Sequence, residues 1–341
     1  MRRIYSIVAA LLLFCSPSLN AQSEAGAIFL LISPGARAGG MGEAQVAIAN
    51  DAYASYWNPA GLAFQTGSEI AFMHVDWLPN LADDMYYEFL GFRKQYSALG
   101  TLGGHLIYLN LGEQVRMDEF AQYQGKFTSY MMAVAVSYSA KLSPTSSFGM
   151  SAKISYQHLV EIATGSEKGK GVSVDFGFDL GYMNKGWLTP RMDMGLTMTN
   201  IGPKVSFIDP DQADPQPTNL TFGLAYEVFR NDYNSLTMVY DVDKLLVASY
   251  PDMDWDGDGM IGGFNKNGKE GTKNSDYNRN GKLEAAHKDP IYKAIFTSWV
   301  DDWLLGGDMD MAKAGEFGDK KIGGWEWVGD ANGNGKRDPE E

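Results

Sequence analysis

From about Ser68 to Asp243 the chain repeats one pattern: some ten residues of alternating apolar and polar character, then a polar or Gly/Pro turn. After Gly171, the residues Val172, Val174, Phe176, Phe178, Leu180 and Tyr182 share one face, and Ser173, Asp175, Gly177, Asp179 and Gly181 share the other. Met192, Met194, Leu196 and Met198 stand in the same way against Arg191, Asp193, Gly195, Thr197 and Thr199. Phe148 to Tyr156 and Leu220 to Val228 repeat it, with shorter versions at Tyr130 to Tyr138 and Leu236 to Val242. Around Glu69 to Trp77, Met85 to Arg93 and Leu99 to Leu109 the alternation is less clean. About nine strands are therefore expected before residue 247.

Alternation alone also suits a soluble sandwich. Two features point to a membrane barrel instead. Lys153, Asp175, Asp179, Arg191, Asp193 and Glu227 fall in mid-strand, as residues facing a polar lumen would. Tyr130, Tyr138, Tyr156, Tyr182 and Tyr226 recur near the ends of the apolar faces, as interfacial girdles do. Strands near ten residues match a tilted crossing of the hydrocarbon core, whereas sandwich strands are commonly nearer five or six. The expected fold is an all-β, antiparallel transmembrane barrel with its apolar side against outer-membrane lipid. Composition agrees: aromatics make up 13% and glycine occurs 39 times, while mean hydropathy is only -0.24, which a bundle of apolar helices would exceed.

Ahead of the strands lies a stretch of small residues. It runs Pro34-Gly-Ala-Arg-Ala-Gly-Gly-Met-Gly42, then Ala44-Gln-Val-Ala-Ile-Ala-Asn-Asp51, then Tyr56-Trp-Asn-Pro-Ala-Gly-Leu62. Small side chains allow a backbone to pack in a confined space, and Asn58-Pro59 marks a turn into the first strand. Gly40-Met41-Gly42 does not make a dinucleotide loop, because Gln45 stands where the third glycine is needed and no strand precedes it.

The stretch resembles the opening of the PorV/PorQ family, which has a Gly-Ala-Arg-Ala-x-Gly-Met-Gly run, a paired-acid or Asn-Asp step, and Tyr-Trp-Asn-Pro-Ala-Gly-Leu. Here Gly35 to Met41 carries an extra glycine, and Asn50-Asp51 stands at the acid pair. Asn58 to Ala60 is also similar to the fatty-acid transporter FadL of the wider superfamily. The resemblance implies a FadL-like barrel of about fourteen strands, an even number as single-chain bacterial barrels have. It also implies a plug over residues 22–66, carried by Gly35, Arg37, Gly39, Gly42, Asn50, Asp51, Trp57, Asn58 and Pro59. For PorV it implies type IX secretion: cargo proteins are taken by their C-terminal domains from the translocon and passed to the surface attachment machinery. Arg37, held inside a barrel, is expected either to gate the lumen or to pair with a wall carboxylate such as Asp175 or Asp179, the second being favoured because an enclosed charge needs a partner.

After Val247 the alternation stops, and residues 248–341 form an acidic segment. Of the net charge of -14, half lies after Pro251, with 19 acidic against 12 basic residues. Asp254, Asp256, Asp258, Gly259 and the carbonyl of Met260 reproduce the start of a calcium loop, whose twelfth position is Asn265. Asp276, Asn278, Asn280 and Lys282 form a second copy, with His287 at position twelve. Asp330, Asn332, Asn334 and Lys336 form a third that ends in Glu341. Oxygen ligands favour a hard cation, so one to three Ca2+ ions are expected in an extracellular segment. Between the second and third copies, Asp289-Pro290 reads as a helix start, with Ile291, Ile295, Trp299 and Trp303 at four-residue spacing. This face is expected to pack on the calcium loops or, alternatively, to dock a partner.

Arg2 and Arg3, an apolar run from Ile4 to Phe14 and a polar stretch to Ala21 read as a cleaved export signal over residues 1–21, so the destination is the outer membrane. Cys15, the only cysteine, lies in that segment, and bulky Phe14 before it argues against lipidation. The acidic balance and lack of clustered Lys and Arg exclude nucleic acid as a partner. His74, His105, His158 and His287 are isolated in sequence and no hydrolase, zinc-protease or phosphate-loop motif occurs, so no enzyme is expected. The ending Pro339-Glu340-Glu341 is not a terminal strand, so either the remaining strands of a closed barrel lie beyond it, the favoured expectation, or they are absent. Three functions follow: a PorV-type secretion component, a FadL-like importer of hydrophobic compounds, or a calcium-dependent surface adhesion module.

Overall fold

The computed structural model describes residues 25–96, 100–117, 120–160, 171–207, 213–250 and 287–305. All nine expected strands form: β1 (Ser68–Asp76), β2 (Met85–Tyr96), β3 (Gly100–Met117), β4 (Tyr123–Lys141), β5 (Ser146–Val160), β6 (Gly171–Asn184), β7 (Met192–Ile201), β8 (Asn219–Arg230) and β9 (Ser235–Leu245). They join in sequence order into one antiparallel sheet, each paired with the next. Among the described residues, β1 pairs with β2 alone and β9 with β8 alone.

The alternation places its apolar side outward. On β5 and β6, Ile154, Val174 and Phe176 are 61%, 68% and 56% exposed, while Ser151 and Asp179 between them are 2% and 1% exposed. A water-soluble sheet buries its apolar face; here the polar face is buried and the apolar face is open, which is the arrangement of a wall between lipid and a polar interior. Tyr86, Tyr108, Tyr130 and Tyr156 form a ladder over β2 to β5 with ring centroids 6.0, 5.9 and 5.9 Å apart. Tyr130 and Tyr138 on β4, like Phe148 and Tyr156 on β5, stand eight residues apart. That spacing is about 26 Å along a strand and about 20 Å after a ~40° tilt, close to the height of a lipid-facing band.

The connections alternate in length. Residues 97–99, 142–145, 185–191 and 231–234 join strands at one end of the sheet, whereas 77–84, 118–122, 161–170 and 202–218 join them at the other. The tyrosine ladder lies toward the long-loop end. Strands β3 and β4 run past the others there. A bulge at Asn110/Glu113, where Gly112 has φ 76°, breaks their register. Asp84 of the β1–β2 loop fixes it by accepting from the Glu113 amide at 2.7 Å.

Before the sheet, residues 25–66 contain short helical pieces only: a 3-10 turn at Ile28–Leu31, α1 (Ala36–Gly40), α2 (Ala54–Trp57) and a 3-10 turn at Pro59–Phe64. This segment covers the polar face. Its start is held by the Gly26 amide on the Pro215 carbonyl at 2.9 Å.

The described residues up to Val247 make one compact unit, and the described residues after it belong to a second. In the second, β10 (Ser249–Tyr250) pairs with β11 (His287–Lys288) and leads into α3 (Ile291–Leu305). Asp289 is buried just ahead of α3 and accepts from Lys293 and Thr297, each at 2.9 Å, which anchors its first two turns. The calcium-loop positions Asp254, Asp256, Asp258, Met260, Asn265, Asp276, Asn278, Asn280, Lys282, Asp330, Asn332, Asn334, Lys336 and Glu341 lie outside the described residues, as do residues 1–21. Of the expected helix stripe, Ile291 and Ile295 are half-buried but Trp299 is 55% exposed.

Candidate functional site

The polar face of the sheet and residues 25–66 make one interface, built in two ways. Toward β2, β3 and β4 it is apolar. Tyr87, Phe89, Ile107, Leu109 and Ala133 turn inward and pack with Phe29 and Leu30 of the N-terminal segment. Tyr53 stacks on Phe89 with centroids 5.0 Å apart, and Tyr56 meets the same ring edge-on at 6.4 Å. Burial raises the Tyr56 phenol above its usual value, so it stays neutral and donates to the Leu30 carbonyl at 3.1 Å.

Toward β5, β6, β7 and β8 the contact is made by backbone on backbone. A Cβ on Gly149 would stand 2.3 Å from the Pro59 carbonyl carbon, and one on Gly181 would stand 2.3 Å from Asn58 Oδ1. On Gly195 it would meet the Val46 carbonyl oxygen at 2.4 Å. At these three positions no Cβ fits against residues 46–60, so glycine is required by close approach. Hydroxyls fill the gaps: Ser139 and Ser147 donate to the Ala60 carbonyl at 3.2 and 2.8 Å, and Ser55 donates to the Gly104 carbonyl at 3.2 Å. Asp241 on β9 accepts from the Val46 amide at 2.9 Å.

The motif residues are the joints of this segment. Asn58 is fully buried; its oxygen caps the Ala60 amide at 3.0 Å while its amide donates to the carbonyls of Val46 at 3.0 Å and Tyr182 at 3.2 Å. Pro59 opens the following turn. Trp57 donates from its indole to the Pro34 carbonyl at 3.1 Å. Asp51 accepts from the Tyr53 amide at 3.0 Å. Gly35 and Gly42 hold φ of 105° and 65°, the left-handed region that favours glycine, whereas Gly39 lies in α1 with open space at its Cβ.

Arg37 differs from the expectation. Its partners are Asp51 at 3.3 Å and Asn50 at 2.5 Å, both within the N-terminal segment, and its side chain is 45% exposed. Asp175 and Asp179 are otherwise engaged. Ser173 donates to Asp175, and Lys153 donates to Asp179 at 3.1 Å and to Asn200 at 2.6 Å. The bulge between β6 and β7 places Asn200, at φ 55°, against Asp179, which also accepts the Asn200 amide at 2.8 Å. This buried ion pair is the wall's own.

Three histidines that are isolated in sequence acquire partners in the fold, His158 lying 3.2 Å from the Thr128 carbonyl and stacking on Tyr130. His74 lies 3.3 Å from Glu88 and 3.5 Å from Asp76 on the open face, and buried His105 lies 3.1 Å from Ser55. Strand register is what brings them together, and no sequence motif announces it. A cavity of about 290 Å³ borders Asn50, Phe64, Arg93, Met183 and Lys185 at the short-turn end, where Lys185 and Lys141 stand 4.5 and 5.5 Å from the Phe64 ring.

An antiparallel sheet with its apolar side open and its polar side covered by an N-terminal segment defines the barrel class of outer-membrane proteins. Residues 20–252 match the family described as "Type IX secretion system protein PorV". The chain belongs to that family, a component of type IX secretion in the outer membrane. No curated protein matches the chain.

Proposed function

We propose that this chain is the shuttle of the type IX system. It takes cargo C-terminal domains from the translocon and passes them to the surface attachment machinery, with residues 22–66 acting as a plug that closes the lumen. One observation carries the reading: the backbone from Val46 to Ala60 sits against the wall glycines with no room for a Cβ. Seating that close at Gly149, Gly181 and Gly195 fills the space against β5 to β7 there, which favours handling of cargo on the protein's surface over a FadL-like path through the lumen. The supporting likeness is family membership.

Binding of a cargo C-terminal domain to the full chain, purified from outer membranes in detergent, tests the proposal. Retention of that domain, and not of the mature part of the same cargo, is expected. Loss of cargo binding together with uptake of labelled fatty acid by cells carrying the chain would overturn it in favour of import. A chain that stayed soluble without detergent would favour the adhesion reading. The acidic segment is proposed to hold one to three Ca2+ ions, on the oxygen-rich spacing of its three loops. Calcium at millimolar levels should then raise the protease resistance of residues 250–341 in the full chain, and an unchanged cleavage pattern would remove calcium from the account.

A further inference from the structure

The cavity of about 290 Å³ at the short-turn end is shared between the N-terminal segment and the wall. Ala47, Ile48 and Ala49 of the segment and Met183 of β6 make it apolar on one side. Its polar groups come from both partners: Gln65 from the segment, Arg93 from β2, Lys185 from the turn after β6 and Asp193 from β7. Short turns face the periplasm in bacterial barrels, so periplasmic solutes meet this end.

The charges here are not matched to one another. Arg93 is spent on Glu69 at 2.7 Å and on the Thr66 carbonyl at 2.8 Å. Lys185 and Lys141 both stand beside the Phe64 ring, at 4.5 and 5.5 Å, and neither has a carboxylate partner among the described residues. Two ammonium groups drawn to one ring repel each other, and an anion beside them relieves that repulsion. Asp193 accepts the Gly186 amide at 3.0 Å and has no cationic partner among the described residues. Gln65 is 6% exposed, and its Nε2 donates to the carbonyls of Ala49, Asp51 and Gly61, while its buried Oε1 has no donor. A buried acceptor without a donor is costly, so this site lacks a donor as well as an anion.

We propose that the cavity binds a free α-amino acid with an aliphatic side chain, and that the bound molecule latches the N-terminal segment to the wall. Its carboxylate goes to Lys185 and Lys141, its ammonium group to Asp193 and Gln65 Oε1, and its side chain to Ile48 and Met183. A volume near 300 Å³ is at the small end of ligand sites, which suits one amino acid rather than a peptide. The latch follows from the lining, because a molecule held by Gln65 on one side and by Lys185 and Asp193 on the other joins the two partners. The proposal rests on the seat of residues 46–66 and stands apart from the handling of cargo.

Equilibrium dialysis of radiolabelled L-leucine against the full chain in detergent tests it. One saturable site per chain is expected. Two competitors each lack one charge: 4-methylpentanoate has no ammonium group and 3-methylbutylamine no carboxylate, and each should compete about tenfold or more below L-leucine. Lys185→Gln should weaken binding about tenfold, with Lys185→Arg restoring it and the ligand-free melting point unchanged in both. With L-leucine at about ten times its dissociation constant, cleavage within residues 25–66 by added protease should slow about tenfold. Absence of saturable binding up to about 10 mM overturns the proposal. Equal competition by 4-methylpentanoate overturns it in favour of a simple anion site, and undiminished binding by Lys185→Gln places the ligand elsewhere. Binding that leaves the cleavage rate unchanged removes the latch. None of these outcomes bears on retention of a cargo C-terminal domain, so the shuttle reading is tested separately.

Discussion

The two halves of the covered face hold the same segment by different physics. Over β2 to β4 the wall presents Tyr87, Phe89, Ile107 and Leu109 to Tyr53 and Tyr56, a hydrophobic core on the inward side of the sheet. Over β5 to β8 it presents glycines, serines and one ion pair, and the contact is backbone close approach with hydrogen bonds. The apolar half resists removal through burial. The glycine half fixes position, because a few tenths of an ångström decide whether the two backbones fit.

Four substitutions separate these mechanisms, from the largest effect to the smallest. Phe89→Ala removes the ring between Tyr53 and Tyr56 and should cost about 3–5 kcal/mol of thermal stability in detergent, as large aromatic truncations in cores do. A melting point within a degree of the parent would mean this cluster is no core. Lys153→Met strands the Asp179 carboxylate in a buried site, and breaking such a pair costs about 3–5 kcal/mol. The double change Lys153→Met with Asp179→Leu should recover the loss, since an apolar pair needs no desolvation; a double variant as unstable as the single one would show that the network positions Asn200 and the bulge instead.

Gly149→Val introduces a side chain where the Pro59 backbone already lies and should cost about 1–3 kcal/mol. Its sharper signature is local: protease should reach residues 25–66 while the strands stay protected. Global unfolding without that selective cleavage would contradict the seat. Arg37→Ala, on a pair that is half open to solvent, should change stability by less than about 1 kcal/mol. A loss of several kcal/mol would restore Arg37 to a buried role.

The halves also differ in how openly the sequence declares them. Where wall residues are Gly, Ser or Asp, alternation is clean, and β5 to β8 could be drawn from the sequence to within a few residues. Where the inward side is Tyr87, Phe89, Ile107 and Leu109, both faces are apolar and period two fades, although these residues are as inward as Ser151. The N-terminal motif announced a packed segment, but not its seat, because Gly149, Gly181 and Gly195 are far from Asn58 and Val46 in the chain and meet them only through register. Arg37 pairs with the local Asp51 rather than with a wall carboxylate, because the register between strands spends Asp179 on Lys153.

The central claim is that the open, apolar side of β5 and β6 touches lipid while the side between touches residues 25–66. Photo-crosslinking from a benzophenone amino acid at Ile154 or Phe176, compared with one at Ser151 or Ser147, tests it in intact outer membranes. Lipid adducts from the first two positions and peptide adducts to residues 46–60 from the second two are predicted. Protein adducts from Ile154 and Phe176 to a second sheet, with no lipid, would contradict it.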